Sequence, residues 1–111
     1  QTCALPISEY DILLYVANWP AKRSYAWRAL LVARAIENQC YVVAINRTGE
    51  DGNNISHHGN SMVIDPLGEI IFDGKDQEII KKISLSKEHL GNCRQQFPFL
   101  KDADYFKLLS D

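Results

Sequence analysis

The strongest constraint on this chain is a strand, a helix and a second strand in immediate succession. Residues 10–20, YDILLYVANWP, run through Ile12, Leu13, Leu14, Tyr15, Val16 and Ala17 and stop at Asn18, Trp19 and Pro20. An apolar run this short, closed by an amide side chain and a proline, predicts a strand buried on both faces that ends at a corner. A helix is expected next. Ser24 is placed to cap it, apolar residues recur at Trp27, Leu30, Leu31 and Ala35, and Ala26, Ala29, Ala33 and Ile36 widen the stripe. Arg28, Arg34 and Glu37 mark its polar side, Arg34 and Glu37 are spaced to pair on one turn, and Asn38 is its expected end. Residues 40–46, CYVVAIN, are β-branched or aromatic with hardly a polar interruption, which predicts a central strand. Strand, helix and strand in this order imply parallel pairing through a right-handed crossover. In sheets with helices on their faces, ligands sit outside the carboxyl ends of the strands. The corner at Asn18, Trp19 and Pro20 is therefore the candidate site.

The second half has a different pattern. Residues 48–60, TGEDGNNISHHGN, form a polar stretch with three glycines and no period, expected as a loop. Residues 61–64 and 69–72 are expected as a hairpin about Asp65, Pro66, Leu67 and Gly68, which place proline and glycine where a tight turn needs them. After a turn, residues 78–85, EIIKKISL, suggest an edge strand whose adjacent lysines discourage further pairing. Ser86 should cap a short helix running to about Gln96, with Glu88 in its first turn, and Phe97 and Pro98 should stop it. The tail carries Phe99, Leu100, Tyr105, Phe106, Leu108 and Leu109, an apolar set that wants a partner surface.

Composition excludes several classes of function. With 111 residues, 46% hydrophobic and 23% charged, the chain has room for one globular domain. A net charge of -2, with both signs mixed along the sequence, supplies no attraction for nucleic acid or anionic lipid. The apolar stretch 12–17 is too short to span a bilayer, and no charged leader precedes a long apolar region, so a cytoplasmic location is expected. Cys3, Cys40 and Cys93 are widely spaced and contain no CxxC pair, which argues against a disulfide framework or a zinc site.

The residues nominate no catalytic centre. Cys40 opens an apolar strand and is expected as a packed small residue; Cys93 lies on a polar helix with no obvious base beside it. No serine stands in a GxSxG elbow. His57 and His58 are adjacent, so on extended backbone they point opposite ways; they are expected as a solvated loop pair, with no metal site. Residues 50–54 lack the alternating ligands and closing glutamate of an EF-hand loop, and Gly49, Gly52 and Gly59 form no dinucleotide fingerprint. No cofactor is expected.

Residues 1–7, QTCALPI, fit neither strand alternation nor helix period, and they resemble the translation of a sequencing-library adapter. They are expected to be a non-native leader, with residues 8–111 as the domain proper and the natural gene continuing upstream. An ordinary disordered terminus is the alternative.

Several blocks carry a resemblance over residues 10–106. YDILLYVANWP is followed by Trp27 with the run LLVARAIENQCYVV at 30–43, then by Asn46, Arg47, Thr48 and Gly49 with Asp51, Gly52 and Asn53. His58, Gly59, Asn60 and Ser61 precede IDPLGE at 64–69, and the tail reads FPFLKDADYF at 97–106. These blocks resemble the C-terminal half of the nitrilase superfamily, the carbon-nitrogen hydrolases, and the tail points to the omega-amidase-like branch. The resemblance implies an α/β fold, the C-terminal half of a nitrilase-type α/β/β/α sandwich, incomplete in this chain. It also implies an active site of glutamate base, cysteine nucleophile and oxyanion-stabilising lysine. All three are expected upstream of residue 10, so no catalytic residue is assigned within this chain and the fragment itself is expected to be inactive.

What the resemblance leaves here is site wall. Asn18 and Trp19 match positions that border the substrate pocket, and Pro20 fixes their corner. A small-molecule amide substrate and a homodimeric full-length protein follow from the same likeness. Packing of Trp19 as a strand-closing aromatic, and of Asn18 as a turn-capping amide, are the plainer alternatives. Expressed alone, the chain is expected to be poorly soluble or partly folded, because ordering about a hundred residues costs roughly 100 to 200 kcal/mol of conformational entropy that only extensive burial offsets. The competing function is a non-catalytic binding or scaffold module that docks through its strand edge and aromatic tail.

Overall fold

The computed structural model describes residues 10–110. The leader at 1–7 lies outside the described residues. The elements are β1 (Ile12–Ala17), a 3-10 turn (Ala21–Arg23), α1 (Ser24–Asn38), β2 (Tyr41–Asn46), β3 (Thr48–Glu50), β4 (Ser56–His58), β5 (Met62–Ile64), β6 (Ile70–Asp73), α2 (Lys87–Gln96) and a second 3-10 turn (Phe99–Asp102). The sheet runs in the order β1-β2-β5-β6, with β1 parallel to β2 and the other pairs antiparallel. The parallel pairing that the opening stretch predicts is present, and the hairpin about residues 65–68 is also in place. No helix among the described residues is long and apolar enough to cross a membrane.

α1 packs on one face of the sheet. Trp27, Leu31 and Ala35 form its buried stripe and meet Val42, Ala44, Met62 and Ile64, with Leu13, Tyr15 and Ala17 packed against them from β1. The alternating side chains of β1 have a different fate: Ile12, Leu14 and Val16 are 45%, 67% and 86% exposed. The expectation that β1 is buried on both faces is corrected here. α1 covers one face only, and successive residues of a strand point to opposite sides.

Three further expectations change. Ser24 does not cap α1. Pro20, with φ -72°, starts a 3-10 turn in which the Arg23 N–H donates to the Pro20 carbonyl and the Ser24 N–H to the Ala21 carbonyl. The first helical donors thus have acceptors already, and the Ser24 hydroxyl donates back to Ala21 O at 2.8 Å. The stretch 48–60 is a hairpin rather than a loop: β3 and β4 pair antiparallel, and Asp51 Oδ1 accepts from the Asn53 and Ile55 N–H groups to close the turn. Those bonds, Ile55's first, hold the Asp51 carboxyl below its ordinary value. Residues 78–85 join no strand pair among the described residues. Ile80 is fully exposed and only Ile83 and Leu85 are half-buried, so no second row of contacts holds this segment against β6.

α2 is capped as predicted, Ser86 Oγ accepting from the His89 N–H at 3.0 Å. It closes the amino end of the parallel pair. Arg94 donates to the Gln39 and Tyr10 carbonyls and to Asp11 Oδ1, and the Tyr41 hydroxyl donates to the Ser86 carbonyl. The Arg34–Glu37 pair forms on α1 at 2.6 Å.

Candidate functional site

The carboxyl ends of β1 and β2 meet at one edge because the pairing is parallel and in register, with Ala17 beside Asn46. Asn46 is buried and ties the corner together. Its Oδ1 accepts from the Trp19 N–H at 2.7 Å, while Nδ2 donates to the carbonyls of Trp19 at 3.0 Å and Gly59 at 2.9 Å. Ser61 adds a second clasp, its Oγ accepting from the Asn46 N–H and donating to the Asn46 carbonyl. One amide side chain therefore locks the exit of β1, the end of β2 and the loop before β5.

That loop is held close by its backbone. The Gly59 N–H donates to the Arg47 carbonyl and the Asn60 N–H to the Lys75 carbonyl. Gly59 has φ +62°, and a Cβ there would lie 2.9 Å from Lys75 O and from Thr48 Cγ2, so only glycine fits without a shift. The indole Nε1 of buried Trp27 donates to the Asn60 carbonyl at 2.8 Å. Trp19 leans on Trp27 with ring centroids 5.6 Å apart, its own Nε1 donates to the Arg23 carbonyl, and the Arg23 guanidinium lies 4.5 Å above its ring. The result is an aromatic wall with a cation stacked on it.

Asn18, Trp19 and Pro20 thus sit together at the predicted corner, Asn18 exposed and the other two half-buried. The capping amide is Asn46, not Asn18. An amide ending an otherwise apolar central strand was the available signal for Asn46; Arg23 gave none, since three residues of intervening turn separate it from Trp19.

The cysteines lie elsewhere. Cys40 is fully buried at the amino end of β2, and burial pushes its thiol up to about 11. Its neutral form is favoured in the fold, so this contribution to stability is complete below pH 9 and is lost as pH rises through about 11. At pH 8, alkylation of Cys40 by iodoacetamide, followed by peptide mass spectrometry, is expected to be at least about 100-fold slower in the folded chain than in urea, from ionisation alone. Comparable rates would contradict the buried placement.

Cys93 does have a histidine beside it, contrary to expectation: His89, one helical turn earlier, places Nε2 3.7 Å from its sulfur and 3.0 Å from buried Asp65 Oδ2. This is not a nucleophile with a base and an orienter. The sulfur lies nearer to Nε2, which already meets the carboxylate, than to Nδ1 at 4.0 Å, whereas a working base uses one nitrogen for each partner. Burial, then the Asp65 charge, push the Cys93 thiol up rather than down. The cluster also lies at the amino end of β2, roughly 17 Å from the corner at about 3.3 Å per strand residue. His57 is a second correction, because it is 2% exposed rather than solvated, while His58 points outward on the same strand. Alternation on β4 explains the pair.

The carbon-nitrogen hydrolase family model matches residues 5–90. This chain belongs to the carbon-nitrogen hydrolase family. Omega-amidase YafV of Escherichia coli (strain K12) is 50% identical over 103 residues, covering 92% of this chain and 40% of that protein. A 2-oxoglutaramate amidase of Bacillus subtilis (strain 168) is 37% identical, covering 83% of this chain and 35% of its own length. In structure, a CN-hydrolase superfamily protein from Xanthomonas campestris superposes with a TM-score of 0.87 at 46% identity, over 90% of this chain and 38% of that one. The α/β fold is accordingly that of the nitrilase superfamily, and the chain spans about 40% of the length of the relatives it matches.

Proposed function

We propose that residues 8–111 are part of an omega-amidase, an enzyme that hydrolyses the side amide of a small dicarboxylic acid monoamide to acid and ammonia. The observation that carries this reading is the 50% identity to the Escherichia coli omega-amidase across 92% of the chain. The chain's share of the site is the corner wall of Asn18, Trp19 and Pro20, with Asn46 holding it in place. A cysteine thiolate elsewhere in the full-length protein attacks the amide carbonyl, ammonia leaves with a proton from the acid-base glutamate, and water cleaves the thioester to release the acid. Cys40 and Cys93 do not fill that role, since both are buried with raised pKa values. The full-length protein is a cytoplasmic homodimer on this reading.

The test compares the full-length gene product with the 111-residue chain, scoring ammonia release from 2-oxoglutaramate. Turnover by the full-length protein alone is expected, and it should vanish when its nucleophilic cysteine is replaced. Turnover by the 111-residue chain, or unchanged rates without that cysteine, would reject the proposal. A scaffold role has one observation in its favour: β1 is an edge strand among the described residues, and Tyr105, Phe106, Leu108 and Leu109 in the tail are 76% to 97% exposed. Stable binding of the 111-residue chain to its full-length counterpart, lost when the tail is removed, would support it.

A further inference from the structure

The charges around the corner do not balance. From residue 12 to residue 36 the sequence holds Lys22, Arg23, Arg28 and Arg34 and no carboxylate. Arg28 pairs with Asp73 at 2.9 Å and Arg34 with Glu37 at 2.6 Å. Lys22 and Arg23 have no carboxylate partner among the described residues. Of these two, Arg23 is the one held in place. Its N–H donates to the Pro20 carbonyl, its carbonyl accepts from Trp19 Nε1 at 2.6 Å, and its guanidinium rests on the Trp19 ring. Trp19 is fixed in turn by both hydrogen-bonding groups of the Asn46 amide.

A guanidinium resting on an aromatic face keeps its N–H donors in its own plane, where they match the two oxygens of a carboxylate. Holding the cation in advance lowers the entropy lost when an anion binds. The position is also apt, stacked on Trp19, which follows exposed Asn18 at the carboxyl edge of the parallel strands.

We propose that Arg23 is the specificity-determining residue of this corner, the group that receives the free carboxylate of the substrate and so selects amides that carry one. The assignment rests on the omega-amidase reading and deepens it.

In the full-length protein, Arg23→Gln is expected to lower kcat/KM for 2-oxoglutaramate by about 10- to 100-fold, the range for losing a hydrogen bond to a charged group, mostly through KM. The neutral methyl ester of the same amide should be turned over as well by the variant as by wild type. Arg23→Lys should recover part of the loss, because it keeps the charge without the planar fork. Equal losses on acid and ester, or undiminished preference for the acid, would overturn the assignment. If wild type releases ammonia from no omega-amide, the proposed function fails separately. Calorimetric titration with 2-oxoglutarate then decides on Arg23: weaker binding by Arg23→Gln supports the carboxylate site, and equal binding overturns it.

Discussion

Replacing Asn46 with alanine is expected to destabilise the chain by about 2 to 5 kcal/mol, because it strands several partly or fully buried polar groups at about 1 to 3 kcal/mol each. The Trp19 N–H, the Trp19 carbonyl and the Gly59 carbonyl all lose their partner at once. Asn46→Asp is no remedy. Its carboxylate would keep the acceptor for the Trp19 N–H but would set an anion against two carbonyl oxygens, so its loss should be at least as large. Urea unfolding followed by tryptophan emission suits the measurement, since the two tryptophans of the chain, Trp19 and Trp27, both stand at this corner. A red shift before denaturant is added would report opening of the corner itself. A midpoint within error of wild type would mean that Asn46 is not the tie described here.

The role of Asn46 also marks the limit of what the sequence discloses. β1, α1 and β2 are legible because their signals are local: two short apolar runs and an alanine-rich stripe of helical period, each set by neighbours a few residues away. The hairpin about Asp65 and Gly68 is legible for the same reason, and Gly68, at φ +87°, sits where that turn requires it. The ties at the corner are of another kind. Asn46 reaches back 27 residues to Trp19 and forward 13 to Gly59. No pattern within a window records such a bond.

Misread elements share a cause. His57 looks solvated in a polar stretch, yet β3–β4 pairing turns its side chain inward. Cys93 looks solitary on its helix, yet His89 lies one turn away and is drawn to Asp65 across 24 residues. Residues 78–85 carry enough β-branched residues for a strand but have no ladder to join. The corner of Asn18, Trp19 and Pro20, proposed as site wall, was accessible to a positional rule, that parallel strands present ligands at their carboxyl ends, combined with family likeness. Arg23 required the stacking geometry.

The largest effect on solution behaviour is expected from the open face of β1. Ile12, Leu14 and Val16 form an unbroken apolar row on an edge strand, and Ile45 of β2 extends it at 55% exposure, beside Val16 in the register. Burying a fully exposed Val, Leu or Ile side chain is worth about 1.5 to 3 kcal/mol, so covering what these four leave exposed supplies about 4 to 8 kcal/mol to whatever packs there. The 111-residue chain in isolation should therefore bind an apolar fluorescent dye and self-associate with rising concentration. Leu14→Lys with Val16→Lys should suppress both, by several-fold in dye signal, while leaving the α1 face intact, because Leu13, Tyr15 and Ala17 carry the contacts to the helix. Sedimentation and dye titration of the two chains side by side give the comparison. In the full-length protein the same double substitution should have the opposite consequence. If a second sheet covers this row, as the sandwich of the family implies, two lysines in that layer should prevent folding or abolish amide hydrolysis. A full-length double variant with wild-type turnover would show that the row faces water in the working protein, and the sandwich interface would have to be sought elsewhere on the sheet.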